Sequence, residues 1–386
     1  MAKLLKALLL APAAAAAANA STRLVIQNAC DKEPIWIAHM AGASTGPEAQ
    51  NLMIAAGASH AFTTPDNLKA TRYWPKMRCD STGNKCQIGG SGGPGEVCDE
   101  TLGCAPPVDT KFEATFGQQG LPCNPAKQEY DGCDWIDVSM VDGWTLPFKF
   151  QVTGSCVSTS TGKAVVESGK IIDCSKVSVD QCPTTESVPG EGTLDLRLHH
   201  PKTGQLVGCY SPCSKLTLRS WNNTVAAHHT PQDATSAPFC CPTPPESPDA
   251  CRTGPVGKSQ YVQAVHKMCP GVYGYAYDDG TGLMTCTAGA TYTMTVYCPS
   301  PYPAPPSPSP PSPPSPPSPP SPSPARCTVG ASVLCPGTNT SCSGDACCPD
   351  GSTCPSATGT FKGCPKPKEK DCTKVDDSSS DFVVVV

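Results

Sequence analysis

Over most of the first 300 residues, apolar and polar positions alternate in short runs. "TRLVIQNAC" (22–30), "PIWIAH" (34–39) and "TYTMTVYC" (291–298) are rich in β-branched and aromatic residues, with Gly, Pro, Asn and Asp clustered between such runs. This pattern predicts half-buried strands joined by turns. One stretch departs from it. In "KSQYVQAVHKMC" (258–269), Val262, Val265 and Cys269 fall at helical spacing and predict an amphipathic helix. A second stretch, "CDWIDVSMVDGWTLPF" (133–148), is harder to place. Val138, Met140, Val141, Trp144 and Phe148 suit a pleated segment, yet Asp137 and Asp142 interrupt it five residues apart. A straight strand would send those carboxylates to opposite faces, because side chains alternate with period 2. Gly143 follows Asp142 and permits a bulge or turn, so the strand is predicted to break before Asp142. Both carboxylates can then share one surface.

The pattern fails completely in "PSPYPAPPSPSPPSPPSPPSPPSPSPAR" (299–326). Proline fixes φ and removes backbone donors, which predicts an extended polyproline rod of roughly 85 Å at ~3.1 Å per residue. The rod divides the chain's 26 cysteines into eighteen between Cys30 and Cys298 and eight between Cys327 and Cys372. Both numbers are even, so each part is expected to close its own bridges, and reduction is expected to unfold both. Residues 327–372 contain little apolar material and are expected to fold as a small disulfide-stapled module. Its single aromatic, Phe361, argues against tight binding of chitin or cellulose. The tail at 373–386 is expected to be disordered.

A cysteine load of this size belongs to an oxidising compartment. Residues 1–20 agree: Lys3 and Lys6 precede a Leu/Ala core, and Ala18-Asn19-Ala20 precedes Ser21. This is the pattern of a secretory signal peptide cleaved after Ala20. No later apolar run is long enough to span a bilayer, and the terminal "FVVVV" is too short for a lipid-anchor signal. The net charge is −5; without the leader, 26 basic face 33 acidic residues, or −7. That excess offers no attraction to nucleic acid or anionic membrane. A secreted monomer, extracellular or in a cell wall, is the expected state.

Five blocks carry a family resemblance. They are "VIQNAC", "RYWPKMRCDSTGNKCQIGGSGG", "DWIDVSMVDGWTLPFKF", "VGCYSPCSK" with "FCCPTPPESPDAC", and "MCPGVYGYAYDDGTGLMTCTAG" running on to "YTMTVYCP". In this order, residues 21–298 resemble the thaumatin-like proteins, the osmotin-like plant defence group. The resemblance implies an all-β sandwich core with disulfide-rich loops. It also implies an acidic cleft whose positions fall on Arg72, Glu113, Asp137, Asp142 and Asp279, with Asp278 as a neighbour easily confused with Asp279. It implies bridges Cys30–Cys298, Cys79–Cys86, Cys156–Cys286, Cys174–Cys269, Cys182–Cys209, Cys213–Cys240 and Cys241–Cys251. Departures exist too. "IGGSGG" lacks a cysteine that the family has there, leaving Cys98 to pair with nearby Cys104. Cys123 and Cys133 are additional and flank a loop just before Asp137.

Members of that group bind β-1,3-glucans, and some hydrolyse them weakly. Hydrolysis needs one carboxylic acid and one carboxylate, and crowded carboxylates beside an arginine supply both forms at one pH. Glu113 with Asp142 or Asp137 is the candidate acid–base set, with Glu113 the first choice as acid; Arg72, Asp279 and Asp278 are candidate substrate contacts. Taken singly, each aspartate reads as an ordinary loop-bracing residue; taken together, the five read as a cleft. Cleavage is a step beyond binding, and weak endo-β-1,3-glucanase activity is left open. Trp135, Trp144, Tyr273, Tyr275 and Tyr277 are candidate stacking faces, although core packing is the default reading for several of them. The alternatives are a structural hydroxyproline-rich wall protein, suggested by the Ser/Pro rod, and an inhibitor of foreign hydrolases. Asn222 and Asn339 stand in glycosylation sequons. His199-His200 and His228-His229 lack partners at ligand spacing, so neither metal nor cofactor is expected.

Overall fold

A computed structural model describes residues 21–125, 131–158, 164–166 and 171–301, and two short strands, Val333–Leu334 and Ser341–Cys342, that pair antiparallel. The expected leader and tail, Asn339, and nearly all of the rod and of the cysteine-rich module lie outside the described residues.

Two sheets form the core. The smaller runs, edge to edge, Ile171–Cys174, Phe148–Thr153, Thr291–Val296, Leu24–Asn28 and Ser59–Phe62. The larger runs Ala164–Val166, Cys156–Ser158, Met284–Thr287, Cys133–Ser139, Lys111–Thr115, Thr71–Lys76, Ile35–Ala41 and Leu52–Ile54. The first strand lies parallel to Thr291–Val296, and Cys30–Cys298 ties the pair just beyond its end. The expected strands at 22–30, 34–39 and 291–298 are thus present, and the fold is all-β.

Period-2 alternation builds the interior. Phe148, Phe150 and Val152 are buried, as are Tyr292, Met294 and Val296 beside them. From the facing sheet come Ile37, Tyr73, Phe112, Ile136 and Val138. The rings of Phe112 and Phe150 lie 5.4 Å apart, and those of Phe112 and Tyr292 6.0 Å, within the range of favourable aromatic pairs. Charged pairs are sealed inside as well, among them Lys76 with Glu96 and Arg23 with Asp134. Arg23 donates to Asp134 at 2.8 Å, and Asp134 also accepts from Tyr292 Oη and the Gly117 amide. Burial outweighs Arg23 and lifts the Asp134 carboxyl to about 6.

Among the described residues, the long loops are stapled by nine disulfides. These are the seven pairs implied by the family likeness together with Cys98–Cys104 and Cys123–Cys133. The expected helix forms as Gln260–Met268; the Ser259 side chain caps it, Val262 and Val265 are buried, and Cys269 ends it in the bridge to Cys174.

Candidate functional site

The alternation that fills the core also builds the site. Tyr73, Phe112 and Val138 point inward from three adjacent strands, so their neighbours point the other way. Arg72 is directly opposite Glu113, and Glu113 is directly opposite Asp137. The three form one half-buried row on the outer face of the larger sheet. Lys111, two residues before Glu113, rises from the same face.

Asp142 reaches this row because the strand ends. Cys133–Ser139 stops, residues 140–142 bend away, and Gly143–Trp144 joins a different, three-stranded sheet against Leu206–Tyr210. The break therefore falls where it is predicted. Gly143 is required for close approach as much as for its φ of +153°: a Cβ there would lie 2.2 Å from the Cys209 carbonyl oxygen and 2.5 Å from Val108 Cβ. Asp142 is then free to bind Lys111 side chain to side chain.

Asp279 arrives from a third direction. The Tyr273 amide donates to Val138 O at 3.1 Å, and the Met140 amide donates to Tyr273 O at 2.9 Å, so this segment runs beside the end of the Asp137 strand. The short helix Asp279–Gly282 follows. Asp279 accepts from Tyr273 Oη at 2.8 Å and from Arg252 at 2.9 Å.

The resulting patch carries mixed charge. Arg72 Nε donates to Glu113 at 2.5 Å, a charge-assisted contact that raises the Arg72 pKa, with Asp142 and Asp137 adding to it. The pair is 33% and 24% exposed, which limits its net stabilisation to about 1 kcal/mol or less and makes orientation its main contribution. Burial works against the Lys111 charge, but Asp142 and Glu113 more than offset it and hold the ammonium above its usual value. Asp137 is the opposite case. Burial and the facing Glu113 push its carboxyl well above the aspartate range, against Arg72 and Lys111, and its Oδ1 has no hydrogen-bond partner. Burial, then Asp137 and Asp279, likewise raise the Tyr273 hydroxyl.

Not every candidate sits in this patch. Asp278 is buried and turned into its own loop, accepting from Gly274 N at 2.9 Å and pairing with His266 Nε2 at 2.6 Å. Trp144 is fully buried and stacks on Tyr261, with ring centroids 5.1 Å apart, so it is a core residue and not a stacking face. Tyr273 and Tyr277 are also buried, leaving Trp135 and Tyr275 half-exposed. A recess of about 70 Å³ opens beside Asp142, lined also by Ser211, Pro212, Phe239 and Tyr275. Lys111 and Arg252 were not among the sequence candidates. The signal for Lys111 was present, since it lies at i−2 from Glu113 on one strand; nothing local marks Arg252.

Asn222 is exposed and open to modification. Among the described residues, no group of three or more His, Cys, Asp or Glu side chains is arranged to hold a metal ion, and no helix is long and apolar enough to cross a membrane.

A disulfide-stapled β-sandwich, bearing a row of paired charges on the outer face of its larger sheet, defines the class of protein. The Thaumatin family profile matches residues 28–299, and the chain belongs to that family. Among curated relatives it is 27% identical to "Thaumatin-like protein 1" of Pyrus pyrifolia over 287 residues, covering 72% of this chain and 91% of the relative. It is 27% identical over 230 residues to a Prunus avium protein named "Glucan endo-1,3-beta-glucosidase", covering 59% and 71%. It is 26% identical over 287 residues to "Pathogenesis-related thaumatin-like protein 3.5" of Cryptomeria japonica, covering 72% and 91%.

Proposed function

We propose that this protein is a secreted defence or cell-wall protein that binds β-1,3-glucan in the cleft over Arg72, Glu113, Asp137, Asp142 and Asp279. The convergence of these five residues on one open patch carries the reading. The sum of the six ionised side chains and Asp137 is close to neutral, which suits a neutral polysaccharide better than a polyanion. Paired carboxylates and cations offer fixed acceptors and donors to sugar hydroxyls, and Tyr275 and Trp135 offer partly open ring faces at its margin. The relative named as a glucan endo-1,3-beta-glucosidase supports the choice of polymer. In this reading residues 1–20 are the secretion signal, Asn222 carries a glycan, and the module at 327–372 serves as a spacer or a protein contact.

Cleavage is a second step on the same site. The experiment incubates the full secreted chain with insoluble β-1,3-glucan, with cellulose as control, and measures both retained protein and released soluble sugar. Retention on β-1,3-glucan alone supports the binding reading, and sugar release adds glucanase activity. Retention on neither polymer overturns both and favours the wall-protein or inhibitor reading; salt-resistant retention in walls without glucan affinity selects the former.

A further inference from the structure

Each ionised carboxylate around the cleft has a cationic partner of its own. Glu113 has Arg72, Asp142 has Lys111, and Asp279 has Arg252. Asp137 has none, and it faces Glu113 across the sheet with Oδ1 buried and unpaired. We propose that Asp137, and not Glu113, is the proton-bearing carboxyl of the cleft, donating to the bridging oxygen of a bound glucan. This rests on the glucan reading above and deepens it.

The groups that face Asp137 argue the same way. The Lys111–Thr115 strand brings Glu113 and Lys111, the Thr71–Lys76 strand brings Arg72, and the segment alongside brings Tyr273 and Asp279. Met284–Thr287, on its other side, brings no ionisable group. Both cations are already spoken for, so an ionised Asp137 would add a further buried negative charge beside Glu113 with one oxygen unsatisfied, a costly arrangement. A proton removes the charge, and the half-buried carboxyl then donates to a ligand through its other oxygen, Oδ1 being sealed from the cleft. The Lys111 side chain is a positioning residue here: by holding Asp142, it keeps a second carboxylate beside the row.

As a binding group, neutral Asp137 gives its O–H to a glycosidic oxygen. As an acid, it transfers that proton while the C1–O bond breaks with its electron pair on the leaving oxygen. A water oxygen bonds to C1, and the proton lost by that water passes to Asp142, which is 43% exposed and more open to solvent than Glu113. Return of the proton through water to Asp137 closes the cycle.

The test uses the full chain with ¹³C-labelled aspartate carboxyls. Besides the carboxyls of Asp109 and Asp134, a further one is expected to titrate well above the ordinary aspartate range, and it is this signal that should vanish in Asp137→Asn. The same signal should move further up in Lys111→Met, which removes a facing cation and serves if Asp137→Asn does not fold. Retention of wild type on insoluble β-1,3-glucan should fall as pH rises through that titration; Asp137→Asn, whose amide stays a donor, should lose this dependence. Any hydrolysis should drop about 10²-fold or more in Asp137→Asn. An Asp137 that titrates in the ordinary range, or hydrolysis equal to wild type in Asp137→Asn with loss in Glu113→Gln, overturns the assignment. If wild type is retained on no glucan at any pH, the glucan reading falls, and the titration alone then judges where the proton sits.

Discussion

Replacing Gly143 by alanine probes the turn that makes the cleft. The added Cβ would meet the Cys209 carbonyl oxygen at 2.2 Å and Val108 Cβ at 2.5 Å. Neither neighbour can yield readily. Cys209 is bridged to Cys182 and its strand pairs with Gly143–Trp144, while Val108 is buried in the core. Overpacking of this kind costs ~1–3 kcal/mol, and an alanine held at φ +153° adds ~1 kcal/mol. The total of about 2–4 kcal/mol, at ~2–4 °C per kcal/mol for a domain of this size, lowers the melting temperature by roughly 5–15 °C. The Asp142 carbonyl, which accepts from Ser211 N at 3.0 Å, moves with the strand and loosens the Lys111–Asp142 contact. The assay is thermal unfolding of the oxidised chain, with Gly57→Ala as control: Gly57 has φ +74°, but a methyl added there has nothing within 4 Å, so it carries the φ penalty alone. Gly143→Ala melting within about 2 °C of wild type, or no lower than the control, refutes the close-approach argument.

Three further outcomes are expected. Asp109 and Asp134 have folded values lifted to about 6, so the folded chain keeps protons that the unfolded chain releases between about pH 4 and pH 6. Their contribution is full below about pH 4 and lost as pH rises through about 6, so denaturant midpoints should be higher at pH 5 than at pH 7.5; a flat or reversed profile contradicts this. Arg23→Met leaves Asp134 buried without its cation and should cost ~3–5 kcal/mol at pH 7 and less at pH 5, when a proton neutralises the carboxyl; equal loss at both pH values would show that the pair is not what matters. Gly282→Ala places a Cβ 2.1 Å from the Tyr273 ring, so it should displace that ring and its hydroxyl from Asp279 and weaken glucan retention; unchanged retention with a shifted Tyr273 would remove Asp279 from the binding site.

Much of this is legible along the chain because it is local. Alternation marks Leu24–Asn28, Ile35–Ala41 and Thr291–Val296, helical spacing marks Gln260–Met268, and an Asp-Gly pair after an apolar run marks the break at 140–143. What escapes a reading of the chain depends on partners far away in sequence. A lysine in a strand reads as solvent-facing, and Lys111 is buried only because Asp142, 31 residues on, answers its charge. Arg23 and Asp134 are 111 residues apart, and neither looks like a core residue alone. Trp144 reads as a stacking face until the turn beside it fixes which way its ring goes, onto Tyr261. The exchange of roles between Glu113 and Asp137 has the same origin: only the cross-strand register reveals that Arg72 belongs to Glu113 and leaves Asp137 alone.

The most direct measurement is where a soluble β-1,3-glucan oligosaccharide lands on the labelled, oxidised full chain. Titration followed by heteronuclear NMR should shift the resonances of Arg72, Glu113, Asp137, Asp142, Tyr275 and Asp279 together, with a single saturable affinity, and a β-1,4-linked oligosaccharide of equal length should leave them in place. Shifts confined to other surfaces, or equal shifts with both sugars, would contradict the account.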